Sequence, residues 1–397
     1  MDQTGLIMEY IVKHLPVKRV SKENGHYYFG YFDKYPWDKS QRYLLAQKAD
    51  FMDRQPTPAD KLTIGMIDLA DNDKFIELAE TKAWCWQQGT MLQWLPDSDS
   101  KVIYNDIDNG KFVARILDVK SGEKQTICRP VYCISPDGKY ALSINFARLD
   151  KERPGYGYAG VADEFEGIGH PDKDGIWLVD LKNNTSKLIL SVNQIVKMRN
   201  DDSMLNMPNW FNHLLFSPDS KRFTFFHRWR KPEGWHTTHM YTANIDGSDI
   251  FPLNLQDMSS HYTWFDNDKM ICFANQFDSG WNYYEFTDRT EDVKIIGEEY
   301  FKGMDGHCSY STDCHWMLTD NYPHDGNGNM RSLYLMDLKN NIVYEIGKFY
   351  ANPALEAPTR CDLHPNWSRD CKTVCIDSIH EGFRGIYTID VSKLTGV

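Results

Sequence analysis

Compact polar turns recur along the chain, and each is followed by a run of alternating apolar and polar residues. Turns of this kind favour Asp, Asn, Pro and Gly at their central positions, and strands with one solvated face alternate in this way. Seven turns fit the description, at residues 37–40, 96–99, 135–138, 217–220, 266–269, 311–314 and 368–371. The pattern predicts seven similar β units.

Two further markers interleave with the turns. A strand that ends near an acidic or amide residue occurs seven times, at residues 66–68, 116–118, 177–180, 241–244, 284–288, 334–337 and 387–390. Another short apolar strand follows six of these, and residues 17–20, before the first unit, have the same character. We predict an all-β, seven-bladed β-propeller in which the N-terminal strand completes the C-terminal blade and closes the ring.

The domain organisation follows from the same markers. We expect one propeller domain over residues 1–397, with insertions at about 148–175 and 192–209. Two β-sandwiches with unrelated turns are the alternative. An α/β fold is disfavoured because almost no segment keeps a helical period for more than one or two turns.

Composition narrows the possible partners. The chain has 44 Lys and Arg against 56 Asp and Glu, a net charge of −12, which disfavours nucleic acid and anionic membranes. Nine cysteines, an odd number, disfavour a disulfide framework. We expect no membrane-spanning segment and a cytoplasmic location, or a periplasmic one if a leader peptide has been removed.

Histidines mark one arc of the predicted ring. Six residues before the turn Asp or Asn, four successive units carry His213, His261, His307 and His364. The first three units carry Phe32, Met91 and Val131 at that position. In a propeller the strand before this turn is innermost, so the four imidazoles should face one mouth of the channel. Imidazole is the commonest metal ligand and transfers protons near neutral pH, so both roles are open.

A metal site is the first hypothesis for this arc. Asp362 lies two residues before His364, so both can share a strand face and, with His307, supply two imidazoles and a carboxylate. Cys308, Cys314 and Cys361 are close in sequence, and thiolate ligation would favour zinc. Two of these, Cys308 and Cys361, alternate to the opposite face, where small buried residues are ordinary.

Further polar residues are predicted near the same mouth and assigned to substrate binding. They are His26, Gln88, Arg148, Arg153, Tyr156, Tyr158, His227 and Arg230, with Arg228 between the last two. Guanidinium groups suit carboxylates, and Trp229 or Trp235 is suited to stack on a sugar. The alternatives are a surface lid held by stacking for residues 148–158 and a surface cation–π pair for the Arg–Trp segment.

Three segments carry a family resemblance. Residues 260–264 (SHYTW), 306–311 (GHCSYS) and 363–370 (LHPNWSRD) resemble the oligogalacturonate lyase family, over roughly the last 140 residues. Residues 153–158 (RPGYGY) and 227–229 (HRW) are similar to a wider group of seven-bladed polysaccharide lyases that includes ulvan lyases. These are β-eliminating enzymes for uronic-acid glycans, so the resemblance implies an anionic oligosaccharide as the substrate.

The resemblance also implies a divalent metal, usually manganese. The family holds it with a His that matches His307 and with a closing Gln-x-x-His-x-His-Pro motif. Here the motif reads TRCDLHP at 359–365, so His364 is kept, Asp362 replaces the first His and Thr359 replaces Gln. Manganese, zinc and calcium all stay open as the ion.

We predict β-elimination at a 4-linked uronic acid, with His213 and His261 as the proton-transfer pair. Ulvan-lyase-like enzymes use His and Tyr for proton transfer and Arg for charge neutralisation, roles that the resemblance assigns to His213 or His227, Tyr262, and Arg148 or Arg228. The alternatives are a glycoside hydrolase, which needs two facing carboxylates, and a non-catalytic carbohydrate-binding propeller. A serine peptidase is disfavoured because the sequence has no Gly-x-Ser-x-Gly elbow.

Overall fold

Seven β-sheets form the protein in the computed structural model, which describes residues 8–231, 234, 236–323, 327–355 and 357–396. The predicted all-β, seven-bladed propeller is confirmed. Six blades have four strands, and blade six has five. None of the helices in these described ranges is long and apolar enough to cross a membrane.

The strands of the first three blades follow two N-terminal strands. The N-terminal strands are β1 (Glu9–Val12) and β2 (Val17–Arg19). Blade one contains β3 (His26–Tyr28), β4 (Tyr43–Ala49), β5 (Leu62–Asp68) and β6 (Lys74–Thr81). Blade two contains β7 (Gln93–Trp94), β8 (Lys101–Asp108), β9 (Lys111–Asp118) and β10 (Lys124–Ile127). Blade three contains β11 (Cys133–Ile134), β12 (Tyr140–Ser143), β13 (Gly175–Asp180) and β14 (Thr185–Ser191).

The remaining blades carry the histidine arc. Blade four contains β15 (Asn209–Phe216), β16 (Arg222–Arg230), β17 (His236–Asn244) and β18 (Phe251–Asn254). Blade five contains β19 (Ser259–Trp264), β20 (Lys269–Gln276), β21 (Gly280–Thr287) and β22 (Val293–Ile296). Blade six contains β23 (Ser309–Tyr310), β24 (Trp316–Asp320), β25 (Met330–Asp337) and β26 (Ile342–Tyr350). Blade seven contains β27 (Asn366–Trp367), β28 (Thr373–Ser378) and β29 (Gly385–Asp390).

The two N-terminal strands join different blades. β2 pairs antiparallel with β29 and is the outer strand of blade seven. β1 pairs parallel with β26 and adds a fifth strand to blade six, which the repeat pattern does not predict. The two N-terminal strands therefore hydrogen-bond to blade six and to blade seven, respectively.

In the described ranges, five short helices lie between the strands or after the last of them. They are α1 (Phe146–Glu152), α2 (Val192–Arg199), α3 (Asp202–Leu205), α4 (Glu298–Phe301) and α5 (Ser392–Thr395). α1 lies between β12 and β13, and α2 and α3 lie between β14 and β15, within the two predicted insertions. A capping box of Ser191 and Gln194 begins α2 and satisfies backbone N–H groups that lack a partner in the helix.

Side-chain chemistry explains the repeated turn. In blade three the Asp137 carboxylate accepts hydrogen bonds from the Ser135 hydroxyl (2.7 Å) and the Lys139 backbone N–H (3.1 Å). The same Ser-to-Asp bond recurs at Ser217–Asp219, Ser311–Asp313 and Ser368–Asp370. Asp therefore closes the turn locally and fixes where each second strand begins.

Candidate active site

The four histidines of the register converge. The ring centroids of His261 and His307 lie 3.9 Å apart, and those of His307 and His364 lie 4.4 Å apart. His213 is 6.4 Å from His261 by the same measure. The inner strands of blades four to seven thus bring together side chains separated by 151 positions, from 213 to 364.

Tyr31 lies at the centre of this arc. Its ring centroid is within 6.4 Å of all four imidazoles, and its hydroxyl is 3.1 Å from Nδ1 of His213. It belongs to the irregular segment between β3 and β4, where Phe32 also contacts His261 and His307. Two aromatic side chains of blade one therefore fill the channel beside the imidazoles.

Irregular backbone sets the direction of the histidine side chains. The register shifts between Asn212 and Leu215 in β15 and between Ser259 and Tyr262 in β19, so His213 and His261 lie in β-bulges. His213 and His364 also have positive φ, at 51° and 41°. Bulges redirect side chains beside functional sites, and left-handed backbone in a non-glycine residue is uncommon.

A cavity of about 600 Å³ opens over one part of the arc. Its lining residues come mainly from blades four to six and from the segments around 153–156 and 357–360. They are Arg153, Tyr156, His213, Arg228, His236, Met258, Ser259, Ser260, His261, Phe273, Trp281, Gly303, Asp305, Tyr322, Ala357 and Arg360. Besides His213 and His261, three polar residues that the sequence predicted near the channel mouth line this cavity: Arg153, Tyr156 and Arg228.

Arg228 gives the cavity a positive wall. Its guanidinium is buried, and Nε and Nη1 have no hydrogen-bond partner among the described residues. Burial and the neighbouring charge of Arg153 lower its pKa to about 9, so it remains protonated at neutral pH. A buried guanidinium without an acidic partner is favourably placed to receive an anion.

His261 is oriented by a carboxylate. Its Nδ1 lies 3.0 Å from Oδ1 of Asp305, while Oδ2 of Asp305 accepts a hydrogen bond from the Ser260 hydroxyl at 2.7 Å. An Nδ1–H directed at Asp305 leaves the lone pair of Nε2 on the other side of the ring. The Tyr322 hydroxyl lies 3.4 Å from that Nε2.

The predicted metal residues are not among the residues that line the cavity. Candidate ligand atoms of His307, Asp362 and His364 all lie within 4.8 Å of one another, and all three residues are buried. Tyr322 separates this triad from the cavity, with its hydroxyl 3.5 Å from Nε2 of His307. On its other side the His307 ring bonds to Asp320, with Nδ1 2.9 Å from Oδ1.

Two arginines hold the carboxylate of the triad. Asp362 accepts hydrogen bonds from Arg331 at 2.6 Å and from Nε of Arg360 at 2.8 Å. Burial opposes ionisation of Asp362, but the positive charges of Arg360 and Arg331 outweigh it and lower the pKa of this carboxyl. Burial lowers the pKa of His307 and His364, so both imidazoles are neutral.

The triad fits a divalent metal in donor type. Two neutral imidazoles and a carboxylate are a common donor set, and Nε2 of His364 is buried without a hydrogen-bond partner among the described residues. Nδ1 of His307 faces Asp320, which leaves its Nε2 for an ion. Because both arginines already bond to Asp362, an ion there would compete with their guanidinium groups.

Cysteine ligation is not supported by the positions of the thiols. No cysteine belongs to the candidate metal group found among the described residues. Cys308 is buried with its thiol directed at the His261 carbonyl, and burial raises its pKa well above the usual range. Burial likewise raises the pKa of Cys361, to about 12. Burial therefore favours the protonated thiol at both positions, and zinc as the ion stays a prediction.

Several predicted substrate-binding residues lie outside the cavity. Arg148 is buried within the first insertion, where it donates to the carbonyls of Asn209, Phe165 and Ile168. The Tyr158 hydroxyl bonds to Asn105, and Gln88 bonds to the Tyr132 hydroxyl. His26 accepts from the backbone N–H of Arg384. These four residues do not line the cavity and already have polar partners within the protein, so their substrate-binding role stays a prediction without support from this cavity.

Two further candidates, His227 and Arg230 of blade four, also lie outside the cavity. His227 is fully buried against Asn209 and Trp229, and burial lowers its pKa to about 3. Arg230 donates to the Glu152 and Gly234 carbonyls, and Trp229 is buried, so neither faces the cavity. Trp235 lies outside the described residues.

Tyr262 also needs correction as a proton donor. Its ring packs in the core of blades four and five, and its hydroxyl donates to the backbone carbonyl of His213. Burial raises its pKa well above the usual range. Tyr262 lies on the opposite face of β19 from its neighbour His261, as the alternation of successive strand residues predicts, and its ring packs in the core.

Sequence reasoning missed five residues that shape the site: Tyr31, Asp305, Tyr322, Arg331 and Arg360. Tyr31, Tyr322 and Arg360 lie in irregular segments outside the repeated markers. Arg360 was available as a signal, because it stands inside the closing motif two residues before Asp362. Its guanidinium also bonds to the Tyr156 hydroxyl at 3.0 Å and so joins the triad to the cavity wall.

Solved structures share this architecture over most of the chain. The oligogalacturonate lyase from Vibrio parahaemolyticus has a TM-score of 0.67 at 15% identity, covering 95% of this chain and 94% of that chain. An oligogalacturonate lyase in complex with manganese has a TM-score of 0.68 at 16% identity, covering 95% and 93%. This chain has the fold of oligogalacturonate lyase. The predicted resemblance is thereby confirmed for the fold, and the likeness to ulvan lyases stays a prediction.

The same propeller architecture occurs in proteins of other kinds. The tricorn protease has a TM-score of 0.53 at 12% identity, covering 94% of this chain but 34% of that chain. No protein-family model matches the sequence, and no curated protein matches it. Function therefore has to be argued from the site.

Proposed function

We propose that this protein is a lyase that cleaves uronic-acid-containing oligosaccharides by β-elimination. The observation that carries the proposal is Arg228, whose buried guanidinium has no acidic partner among the described residues and which lines a cavity together with His213 and His261. Removal of a proton from the carbon next to a carboxylate requires a base and a positive group that binds the carboxylate. The two imidazoles and the guanidinium are suited to these two roles. The proposal is in keeping with the oligogalacturonate lyase fold.

Arg228 and Arg153 would bind the carboxylate of the cleaved sugar. As the proton leaves C5, negative charge moves onto that carboxylate, so the guanidinium groups bind the transition state more strongly than the ground state. The protein as a whole has a net charge of −12, so attraction of an anionic substrate has to come from this local group. An anionic oligosaccharide is accordingly the partner that we propose.

His261 is the proposed base. Asp305 accepts from its Nδ1–H, which leaves Nε2 to take the C5 proton, and the carboxylate then stabilises the imidazolium that forms. The electron pair of the C5–H bond forms the C4–C5 double bond as the C4–O bond breaks. His213, with its Nδ1 at Tyr31, lies on the same wall and orients the sugar.

Tyr322 is the proposed acid. Its hydroxyl would donate a proton to the departing oxygen and recover one from the His261 imidazolium, whose Nε2 is 3.4 Å away. Burial raises the pKa of Tyr322 well above the usual range, so the group is protonated before the reaction. This assignment replaces Tyr262 with a tyrosine that lines the cavity.

A divalent metal, if held, would be bound by His307, Asp362 and His364. Such an ion supplies positive charge that stabilises a developing carboxylate anion. The residues of the chain contribute in their own right, since Arg360 links Asp362 to Tyr156 and Tyr322 covers His307.

The alternative of a glycoside hydrolase lacks its second carboxylate. Asp305 is the acidic side chain among the described residues that line the cavity, and it is engaged by His261 and Ser260. A two-carboxylate mechanism needs a partner across the sugar. The geometry therefore favours elimination.

The test is ultraviolet absorbance of the unsaturated uronate product. Oligogalacturonates and sulfated uronic oligosaccharides should be incubated with the protein in the presence of Mn²⁺, Zn²⁺, Ca²⁺ or chelator. We expect absorbance to rise with at least one of these substrates. If none produces the chromophore under any metal condition, the lyase proposal is wrong.

A further inference from the structure

The cavity has two unlike parts. One part carries the charged and titratable groups: Arg153, Arg228, Arg360, His213 and His261. The other part, on blade five, carries Met258, Phe273 and Trp281. The charged part is accounted for by the proposed reaction, whereas the aromatic part has no role in it.

Trp281 forms an exposed platform at the edge of this second part. It is 41% exposed, although it is a large apolar side chain, and its ring stacks on buried Phe273 with centroids 5.8 Å apart and planes at 23°. Phe277, in the turn between β20 and β21, is 70% exposed. Trp281 lines the cavity and is partly exposed, so it offers an apolar surface on which a ligand can pack.

Hydrogen bonds hold the platform in place. The Gln256 side chain bonds to Gln276 at 2.6 Å and accepts from the Phe277 backbone N–H. The Trp281 carbonyl accepts from the Gly303 backbone N–H at 2.7 Å. Because the backbone is fixed on both sides of the turn, a ligand that stacks here does not need to order a loop first.

The platform is displaced from the reacting groups. His261 lies on β19, the inner strand of blade five, and Trp281 lies on β21, two strands further out. Neighbouring strands are about 4.8 Å apart, so the two backbones are separated by roughly 10 Å. A sugar stacked on Trp281 is therefore a different unit from the one whose proton His261 removes.

We propose that Trp281, with Phe273 beneath it and Phe277 in the adjoining turn, is a subsite that stacks on the apolar face of a sugar ring beyond the cleaved unit. This inference rests on the proposed function, since it names how the same cavity selects its substrate. The C–H face of a pyranose packs on an indole without needing a charge partner. The enzyme should accordingly favour chains long enough to reach the platform.

Chain length provides the test. Digalacturonate and tetragalacturonate should be compared by kcat/KM and, with chelator present, by calorimetric binding, which needs no turnover. We expect Trp281→Ala to lower the ratio of tetramer to dimer affinity about tenfold, Phe277→Ala to lower it less, and Trp281→Phe to retain most of it. Tyr350→Ala, which removes an exposed aromatic of blade six outside the cavity, is the matched control and should leave the ratio unchanged.

The outcomes separate this inference from the lyase proposal. A ratio that falls in Trp281→Ala without any turnover supports the subsite and rejects the lyase. Turnover with an unchanged ratio rejects the subsite and retains the lyase. Absence of binding by both oligomers also overturns the subsite.

Discussion

The two halves of the histidine arc differ in what surrounds them. In blades four and five, His213 and His261 line a cavity beside the Arg228 guanidinium, which has no acidic partner in the part of the chain that the structure describes. In blades six and seven, His307 and His364 are sealed below Tyr322 beside an aspartate held by two arginines. The same repeat position therefore provides two cavity-lining histidines suited to proton transfer and two buried histidines suited to binding a cation.

Among the substitutions in the cavity, we expect those at Arg228 to lower catalytic activity the most. We expect Arg228→Ala to lower kcat/KM about a thousandfold, because the developing carboxylate charge loses its partner, and Arg228→Lys to recover part of it. Product absorbance at several substrate concentrations measures the effect. Arg19→Ala, which removes a surface guanidinium paired with Glu381, is the control. A loss below tenfold would show that Arg228 does not bind the reacting carboxylate.

His261 and Asp305 should show graded losses. We expect His261→Ala to lower kcat by two to three orders of magnitude, and Asp305→Asn by about tenfold, since the amide still orients the ring but stabilises the imidazolium less. Single-turnover rates separate this effect from binding. Equal losses in His261→Ala and in the cavity-remote His315→Ala would remove His261 from the mechanism, because His315 bonds to Asp337 on the far side of blade six.

The buried half can be tested by its metal content. We expect the purified protein to bind about one divalent ion and His364→Ala to lose it, with a fall in kcat/KM of roughly tenfold to a hundredfold. Elemental analysis and thermal unfolding with Mn²⁺ or chelator measure this without any substrate. An unchanged melting temperature and no bound ion in the wild-type protein would show that the arginines around Asp362 have taken the place of a metal.

The last prediction concerns stability instead of activity, and it involves the segment around Tyr31 that contacts both halves of the histidine arc. Buried Asp377 accepts from the backbone N–H groups of Phe29 and Gly30, just before Tyr31, and burial raises its pKa to about 7. The folded state keeps this proton up to about pH 7, whereas the unfolded state releases it near pH 4. Stability should therefore fall as pH rises from about 4 to about 7.

Urea unfolding of the wild type and of Asp377→Asn across that range checks this prediction. The asparagine cannot ionise, so the difference in unfolding free energy between the two proteins should change with pH in favour of the variant and level off above about pH 7. A difference that is constant from pH 4 to pH 7 would show that Asp377 ionises normally.

The sequence predicts the fold well because the propeller repeats its chemistry. In four of the turns a Ser hydroxyl donates to the Asp two residues later, so these turns can be recognised without knowing their neighbours. The register of His213, His261, His307 and His364 follows from the same repeat, because equivalent positions of inner strands must converge on one channel.

The site was less predictable because it depends on departures from the repeat. Tyr262 received a proton-transfer role from the family resemblance, but its ring packs in the core and its hydroxyl donates to the His213 carbonyl. Arg148 and His227 have the residue types of a binding site, yet their contacts with distant backbone and Asn209 bury them. The roles of Tyr31 and Tyr322 come from irregular loops, which alternation does not describe.

The pairing of β2 with β29 also has a consequence for biosynthesis. Domains begin to fold while the ribosome is still adding about 5–20 residues per second. β2 ends at Arg19, whereas its partner β29 begins 366 positions later, at Gly385. At about 5–20 residues per second, some tens of seconds pass between the synthesis of the two strands, so blade seven cannot be complete before then.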